Sequence, residues 1–214
     1  MRYPPDHRQK TYERILDAAA VVFRRHGYQA SSVDQVMNEA GLTPGGFYAH
    51  FDSKEELFAQ AFLKMLRQGR TLHGDAVEPL AGPARIQAIA SRYLSAGHRK
   101  LIDTGCPLPP LLADLPRQSS EMRQAFQEVL REIAGEMASH VPAKSASPDA
   151  DGDTSLALLA VMVGGMSLAR GVADEALGDR ILLACRKLID AAVQSPTNSK
   201  PSIRSSRKKG QESS

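Results

Sequence analysis

Apolar residues return every three to four positions along most of this 214-residue chain, and strict alternation is rare. That period belongs to helices with one buried face. Ile15, Ala18, Ala19, Val22 and Phe23 form one stripe and predict a helix over about 8–26. Leu57, Phe58, Ala61, Phe62, Met65 and Leu66 form a longer one, over about 54–72. Gly82-Pro83 is a helix-start signal for a segment reaching about residue 102. Residues 103–116 hold four prolines and Gly105, which predicts a loop with one short helix. Met122, Phe126, Val129, Leu130 and Ile133 line one face of a helix capped by Ser119 or Ser120 and ending near His140. A polar connection over 141–152 leads to two final helices, about 153–172 and 174–194. The predicted fold class is all-α.

Between the first two long stripes lies a different pattern. Val33, Val36, Met37 and Ala40 predict a short helix that Ser31 caps, with Asp34 in the place of the usual capping-box Glu. Gly41 supplies a left-handed stop. Thr43 is the next N-cap, and Pro44 fits the first position of a second short helix, over about 44–50. Two helices joined by so tight a turn form a helix-turn-helix. Gly45 and Gly46 in the second helix each cost roughly 1 kcal/mol relative to Ala. They also remove any side chain between this backbone and a bound ligand. Tyr48, His50 and Lys54 follow and can hydrogen-bond phosphate oxygens, as can a helix N-terminus; with Ser31, Ser32, Thr43, Pro44, Gly45 and Gly46 they are the candidate DNA contacts. Phe47 and Phe51, one turn apart, are core positions.

Residues 8–62 resemble the DNA-binding domain of the TetR family of bacterial transcriptional regulators. The resemblance lies in Ile15-Leu16-Asp17-Ala18-Ala19, Phe23, Gly27-Tyr28, Ser31-Ser32-Val33, Ala40-Gly41-Leu42-Thr43, Gly45, Phe47-Tyr48, His50-Phe51 and Ser53-Lys54-Glu55-Glu56-Leu57. It implies a homodimer whose N-terminal domains dock in successive major grooves of a near-palindromic operator. It also implies a divergent C-terminal domain that dimerises and binds an inducer, with repression as the usual action. The chain then divides into a three-helix DNA-binding domain at 1–53, an effector and dimerisation domain at 54–194 and a basic tail at 195–214.

Charge adds little to this picture. The chain carries +3 overall, but the tail from Ser195 holds five basic residues and one acid, leaving −1 for the rest. The tail's Ser, Lys and Arg content predicts disorder, either as a solubilising end or as extra phosphate affinity. The N-terminus lacks the apolar stretch of a signal sequence. The longest apolar run, 156–169, is shorter than the roughly 20 residues that span a bilayer. A cytoplasmic protein with no membrane partner is expected.

Two cysteines make no disulfide framework, and no Cys/His spacing suggests a metal or other cofactor. Cys185 falls in an apolar stripe. Cys106, in Gly105-Cys106-Pro107, stands where a helical pattern stops. Gly-Cys here resembles a branch of the family in which some members sense electrophiles or oxidants, assisted by a lysine of a late helix; residues 170–180 contain none. Packing and sensing both stay open for Cys106. Other candidates for an inducer pocket are Phe62, Met65, Leu66, Tyr93, His98, Leu111, Leu112, Met122, Phe126, Met162, Met166 and Arg170. Leu156, Leu159, Ala160, Val163, Gly164 and Ser167, with Ile181, Cys185, Leu188, Ile189 and Ala192, are candidates for a four-helix dimer interface. No phosphate loop, nucleophile elbow or metal motif is present, so an enzyme is the weaker reading. A constitutive DNA-binding dimer without a ligand is the other alternative.

Overall fold

A computed structural model describes residues 5–71, 79–141 and 148–194. The predicted tail at 195–214 lies outside them. Within the described residues the chain is all-helical, in the order α1 (Pro5–Ala30), α2 (Val33–Glu39), a 3-10 helix (Pro44–Ala49), α3 (Lys54–Thr71), α4 (Gly82–Tyr93), α5 (Ala96–Lys100), α6 (Leu108–Leu111), a second 3-10 segment (Leu112–Arg117), α7 (Ser120–Ala138), α8 (Pro148–Gly171) and α9 (Glu175–Gln194).

The first core is aromatic. Phe23 meets Phe58 edge-on, Phe58 stacks on Phe62, and Phe47 stacks on Phe51. All five rings are fully buried among Ile15, Ala19, Val36, Met37 and Leu57. The same core continues through Leu66 of α3 to Leu111, Leu115, Met122 and Val129, so α3 belongs equally to the motif and to the helices behind it. The second core is aliphatic and sulfur-rich, with Ile86, Ile89 and Leu94 against Met162, Met166, Leu182 and Ile189.

Several boundaries differ from expectation for local reasons. α1 runs past residue 26 to Ala30, but Gly27 breaks it with φ +76°. The Asp114 carboxylate accepts the Tyr28 N–H exposed by that break, at 2.9 Å. The segment over 83–102 is two helices. The chain leaves helical geometry at Leu94, and Ser95 recaps it by accepting the His98 N–H at 3.0 Å.

α8 corrects the expectation about its length. It begins well before the apolar run, and its 152–171 stretch is long and apolar enough, by length and composition, to cross a membrane. Its buried face, Ser155, Leu158, Met162, Met166 and Ala169, packs on α7 and α9 as a core helix does. Gly165 sets the crossing with α9, since a Cβ there would lie 2.6 Å from the Cys185 sulfur.

Candidate nucleic-acid interface and ligand cavity

Ser32, one residue later than expected, caps α2. Its hydroxyl accepts the Gln35 N–H at 3.1 Å, while Gln35 Oε1 accepts the Ser32 N–H at 2.8 Å. The capping box is therefore Ser32–Gln35. Ser31 is buried and closes the end of α1, donating to the Gly27 carbonyl at 2.5 Å. Gly41, at φ +63°, makes the turn.

The second helix of the motif is a 3-10 helix, closed by Gly46 N–H to Thr43 C=O at 3.1 Å and His50 N–H to Phe47 C=O at 2.9 Å. Two adjacent glycines account for the departure from α geometry, because each weakens a regular helix by about 1 kcal/mol relative to Ala. Phe47 anchors this helix to the core, and the opposite side is bare. Thr43, Pro44, Gly45 and Gly46 are exposed, and Tyr48 is 73% exposed. The Thr43 hydroxyl makes no capping bond. A Cβ on Gly45 would meet nothing within 4 Å, so no internal packing requires glycine there.

Of the predicted DNA contacts, Ser31 and Lys54 are engaged inside the molecule. Lys54 Nζ donates to the Ser31 carbonyl at 2.6 Å and lies 4.4 Å from the centre of the Tyr28 ring. Burial lowers its pKa. It ties the start of α3 to the end of α1. His50 is half-buried, its Nδ1 has no partner, and burial followed by nearby Arg8 lowers its pKa. Arg8 donates to the Ala49 carbonyl at 3.1 Å and so closes the C-terminal end of the 3-10 helix.

Behind the motif, a cavity of about 420 Å³ opens between α4, α7, α8 and the α5–α6 loop. Of the predicted pocket residues, Leu66, Tyr93, His98, Cys106 and Met162 line it, joined by Ile89, Ile133, Leu159 and Val163. The others stand apart from its wall. Phe62, Met65, Leu111, Met122 and Phe126 fill the aromatic core, Met166 fills the aliphatic one, and Leu112 is exposed. Arg170 sits behind the wall. Its guanidinium donates to the carbonyls of His98, Arg99 and Leu101 at 3.0–3.2 Å, satisfying the open end of α5.

This staple explains the Gly-Cys pair. A Cβ on Gly105 would come 2.3 Å from the Leu101 carbonyl oxygen, 2.9 Å from Arg170 and 3.0 Å from His98. His98 Nε2 accepts the Cys106 N–H at 3.1 Å, so the ring proton sits on Nδ1 and is donated to the Tyr93 carbonyl at 2.7 Å. Burial keeps His98 below the ordinary imidazole value, in agreement with this neutral tautomer. Burial also pushes the Cys106 thiol up, outweighing Tyr93, the Leu108 N–H, Arg170 and Arg24. The sulfur is a protonated thiol facing an apolar space.

Sequence reasoning did not find the joint between the motif and the cavity. Arg25 makes a bidentate pair with Asp103 at 2.6 and 3.2 Å, and Arg24 donates to the Asp103 carbonyl at 3.2 Å. Asp103 belongs to the loop that carries Cys106. Nothing in its local pattern marks a carboxylate whose partner lies 78 residues away.

The interface candidates divide. Leu156, Ala160, Gly164 and Leu188 are exposed. Leu159, Val163, Ser167, Ile181, Cys185 and Ala192 are half-buried, and Leu159 and Val163 also line the cavity. Ile189 is fully buried within its own chain and leaves nothing for a second copy to touch. Leu168 at 64% and Leu177 at 39% exposure belong to the same outward apolar faces of α8 and α9.

Residues 15–61 match the family described as bacterial regulatory proteins of the tetR family, and residues 82–184 match the tetracyclin repressor-like C-terminal domain. In fold and domain architecture, this chain is a TetR-family regulator. The family consists of non-catalytic transcriptional regulators, typically bound to DNA as homodimers. The regulator is 29% identical to LmrA of Bacillus subtilis over 160 residues, covering 73% of this chain and 85% of LmrA. It is 31% identical over 103 residues to YfiR of the same species, an uncharacterised regulator, covering 48% of this chain and half of YfiR. Escherichia coli NemR in its reduced form superposes with a TM-score of 0.72 at 17% identity, over 87% of this chain and 98% of NemR. That likeness is one of fold.

Proposed function

We propose that this regulator binds a near-palindromic operator as a homodimer, represses transcription, and leaves the DNA when a small apolar ligand occupies the 420 Å³ cavity. The observation that carries the reading is that one helix serves both ends. α3 begins at Lys54, tied to the motif, and reaches the cavity wall at Leu66. The Arg25–Asp103 pair adds a second connection between the same two places. A ligand shifts such an equilibrium only through different contacts in the two states, and a wall jointed to the DNA-binding end supplies them. The proposed DNA contacts are Ser32, Thr43, Pro44, Gly45, Gly46 and Tyr48, with His50 at the edge of the surface. Ser31 and Lys54 hold that surface in place. The exposed apolar faces of α8 and α9 are the proposed dimer contact.

Covalent modification of Cys106 is a second reading. It is favoured by the thiol's place in the cavity wall and by the reduced form named for NemR. The raised thiol pKa favours the non-covalent ligand, because the thiolate is the nucleophile.

Footprinting on the regulator's own promoter tests both, with wild type, Gly45→Ala and Cys106→Ser. We expect protection by wild type and Cys106→Ser alike. Gly45→Ala is expected to bind at least about tenfold more weakly, with its melting temperature unchanged. Protection lost on adding a thiol-reactive electrophile, yet kept in Cys106→Ser, would establish the covalent switch. A Gly45→Ala variant that protects as well as wild type would remove the proposed DNA-facing surface.

A further inference from the structure

We infer that the cavity's ligand is an apolar molecule with one anionic oxygen head, a carboxylate or phenolate, seated against the Tyr93 hydroxyl; this rests on the reading of the cavity as the effector site.

Tyr93 lines the cavity, and its buried hydroxyl meets no oxygen or nitrogen acceptor; its hydrogen-bonding neighbour is the Cys106 sulfur. The polar group beside it is the Cys106 thiol, a weak partner. The neighbouring His98 and Ser95 side chains are already engaged. Both His98 nitrogens are taken by backbone. Ser95 donates to the Arg92 carbonyl at 2.8 Å and accepts the His98 N–H. An oxygen acceptor supplied by a ligand would replace this weak sulfur partner, and a buried donor without a good acceptor is costly.

The charges behind the wall select the kind of acceptor. Arg170 and Arg24 both act on Cys106, and Arg170 also acts on Tyr93. Both guanidiniums are partly buried, which strengthens their field. Their own bonds run to neutral carbonyls, those of His98, Arg99 and Leu101 for Arg170 and of Ala20 and Asp103 for Arg24. The nearby Asp103 carboxylate is paired with Arg25. Among the described residues, the acid in the cavity wall is Glu136, which is exposed, as is Arg92; Arg85 and His140, also in the wall, are half-buried. This part of the wall therefore presents the Tyr93 hydroxyl, held only by a sulfur, in a positive field, with the Thr104 hydroxyl also on the wall. An amine head would meet two cations there, and a neutral alcohol would forgo the field. The rest of the wall, Leu66, Ile89, Ile133, Leu159, Met162 and Val163, takes the apolar body. The cavity has the size of a small-ligand site.

Calorimetric titration of the full-length regulator with 4-butylbenzoate, 4-butylbenzyl alcohol and 4-butylbenzylamine tests this with one body and three heads. The benzoate is expected to bind about tenfold or more tightly than the alcohol, and the amine most weakly. Tyr93→Phe keeps the ring on His98, at 4.6 Å between centroids, and removes only the hydroxyl. It should cost the benzoate about tenfold and leave the alcohol within about threefold. Alcohol or amine binding as tightly as benzoate, or benzoate indifferent to Tyr93→Phe, overturns the anionic head and leaves the effector site standing. If none of the three binds, the effector-site reading falls with it. Should Tyr93→Phe fail to fold by circular dichroism, the order of the three heads on the wild type decides.

Discussion

The DNA-facing end and the cavity end of this regulator are packed from different materials. Five of its six phenylalanines lie within the first 62 residues, and all five are buried in one core. No phenylalanine lines the cavity, whose apolar wall is Leu, Ile, Val, Met and Pro107, with Tyr93 beside the imidazoles of His98 and His140. Large flat rings close a core around short helices and hold their angles. Branched and flexible aliphatic chains between long helices leave room. The consequence is a close-packed helix-turn-helix joined to a compartment of about 420 Å³. The motif also uses its polar groups sparingly: Ser31 and Lys54 brace it from within, and the exposed face is left to glycine, Thr43 and Tyr48.

This contrast can be tested by mutation at each end. The largest effect is expected from Phe47→Ala, which removes a fully buried ring from the aromatic cluster. It should cost about 3–5 kcal/mol in chemical denaturation and abolish operator binding. A loss below about 1 kcal/mol would mean that the motif is not held by its rings. Gly105→Ala comes next. Its Cβ would crowd the Leu101 carbonyl, so the loop must move. A loss of roughly 1–3 kcal/mol is expected, together with changed ligand affinity, while operator binding without ligand persists. Equal damage to DNA and ligand binding would argue that the two ends are not separable.

The smallest effect is one of pH. His98 and His50 both have folded pKa values lowered, chiefly by burial. The unfolded chain then binds protons more readily, so their contribution to stability is present above the ordinary histidine value and is lost as pH falls through the folded values. Melting temperature should decline from pH 7.5 towards 5, and the decline should be shallower in His98→Gln, whose amide oxygen can still accept the Cys106 N–H. A melting temperature that rises over that range would contradict the neutral His98 tautomer.

How far each end was legible follows from how local its information is. The motif's helices, turn and anchors lie within 31–57, where caps, glycines and an apolar period read directly. Even there Ser32 displaced Ser31 as the cap, because Ser31 was needed to close α1 after the break at Gly27. The cavity is assembled from segments between Leu66 and Val163, and periodicity cannot say which face of a helix meets which neighbour. Met122 and Phe126 share the pattern of Met162, yet they fill a core while Met162 lines a space. The Gly-Cys pair stood out in sequence, but its reason, the Arg170 staple beneath Gly105, required three distant carbonyls to converge.

The continuity of α3 also bears on how this protein could be re-engineered. Lys54 and Leu66 are twelve residues apart on one unbroken helix, about 18 Å of rod. Inserting a single residue between them would turn everything beyond it by about 100°, swinging Leu66 off the cavity while the reading surface stayed whole. A chimera that borrows another protein's sensor cannot be spliced at an arbitrary point of α3; the graft has to preserve helical phase as well as length.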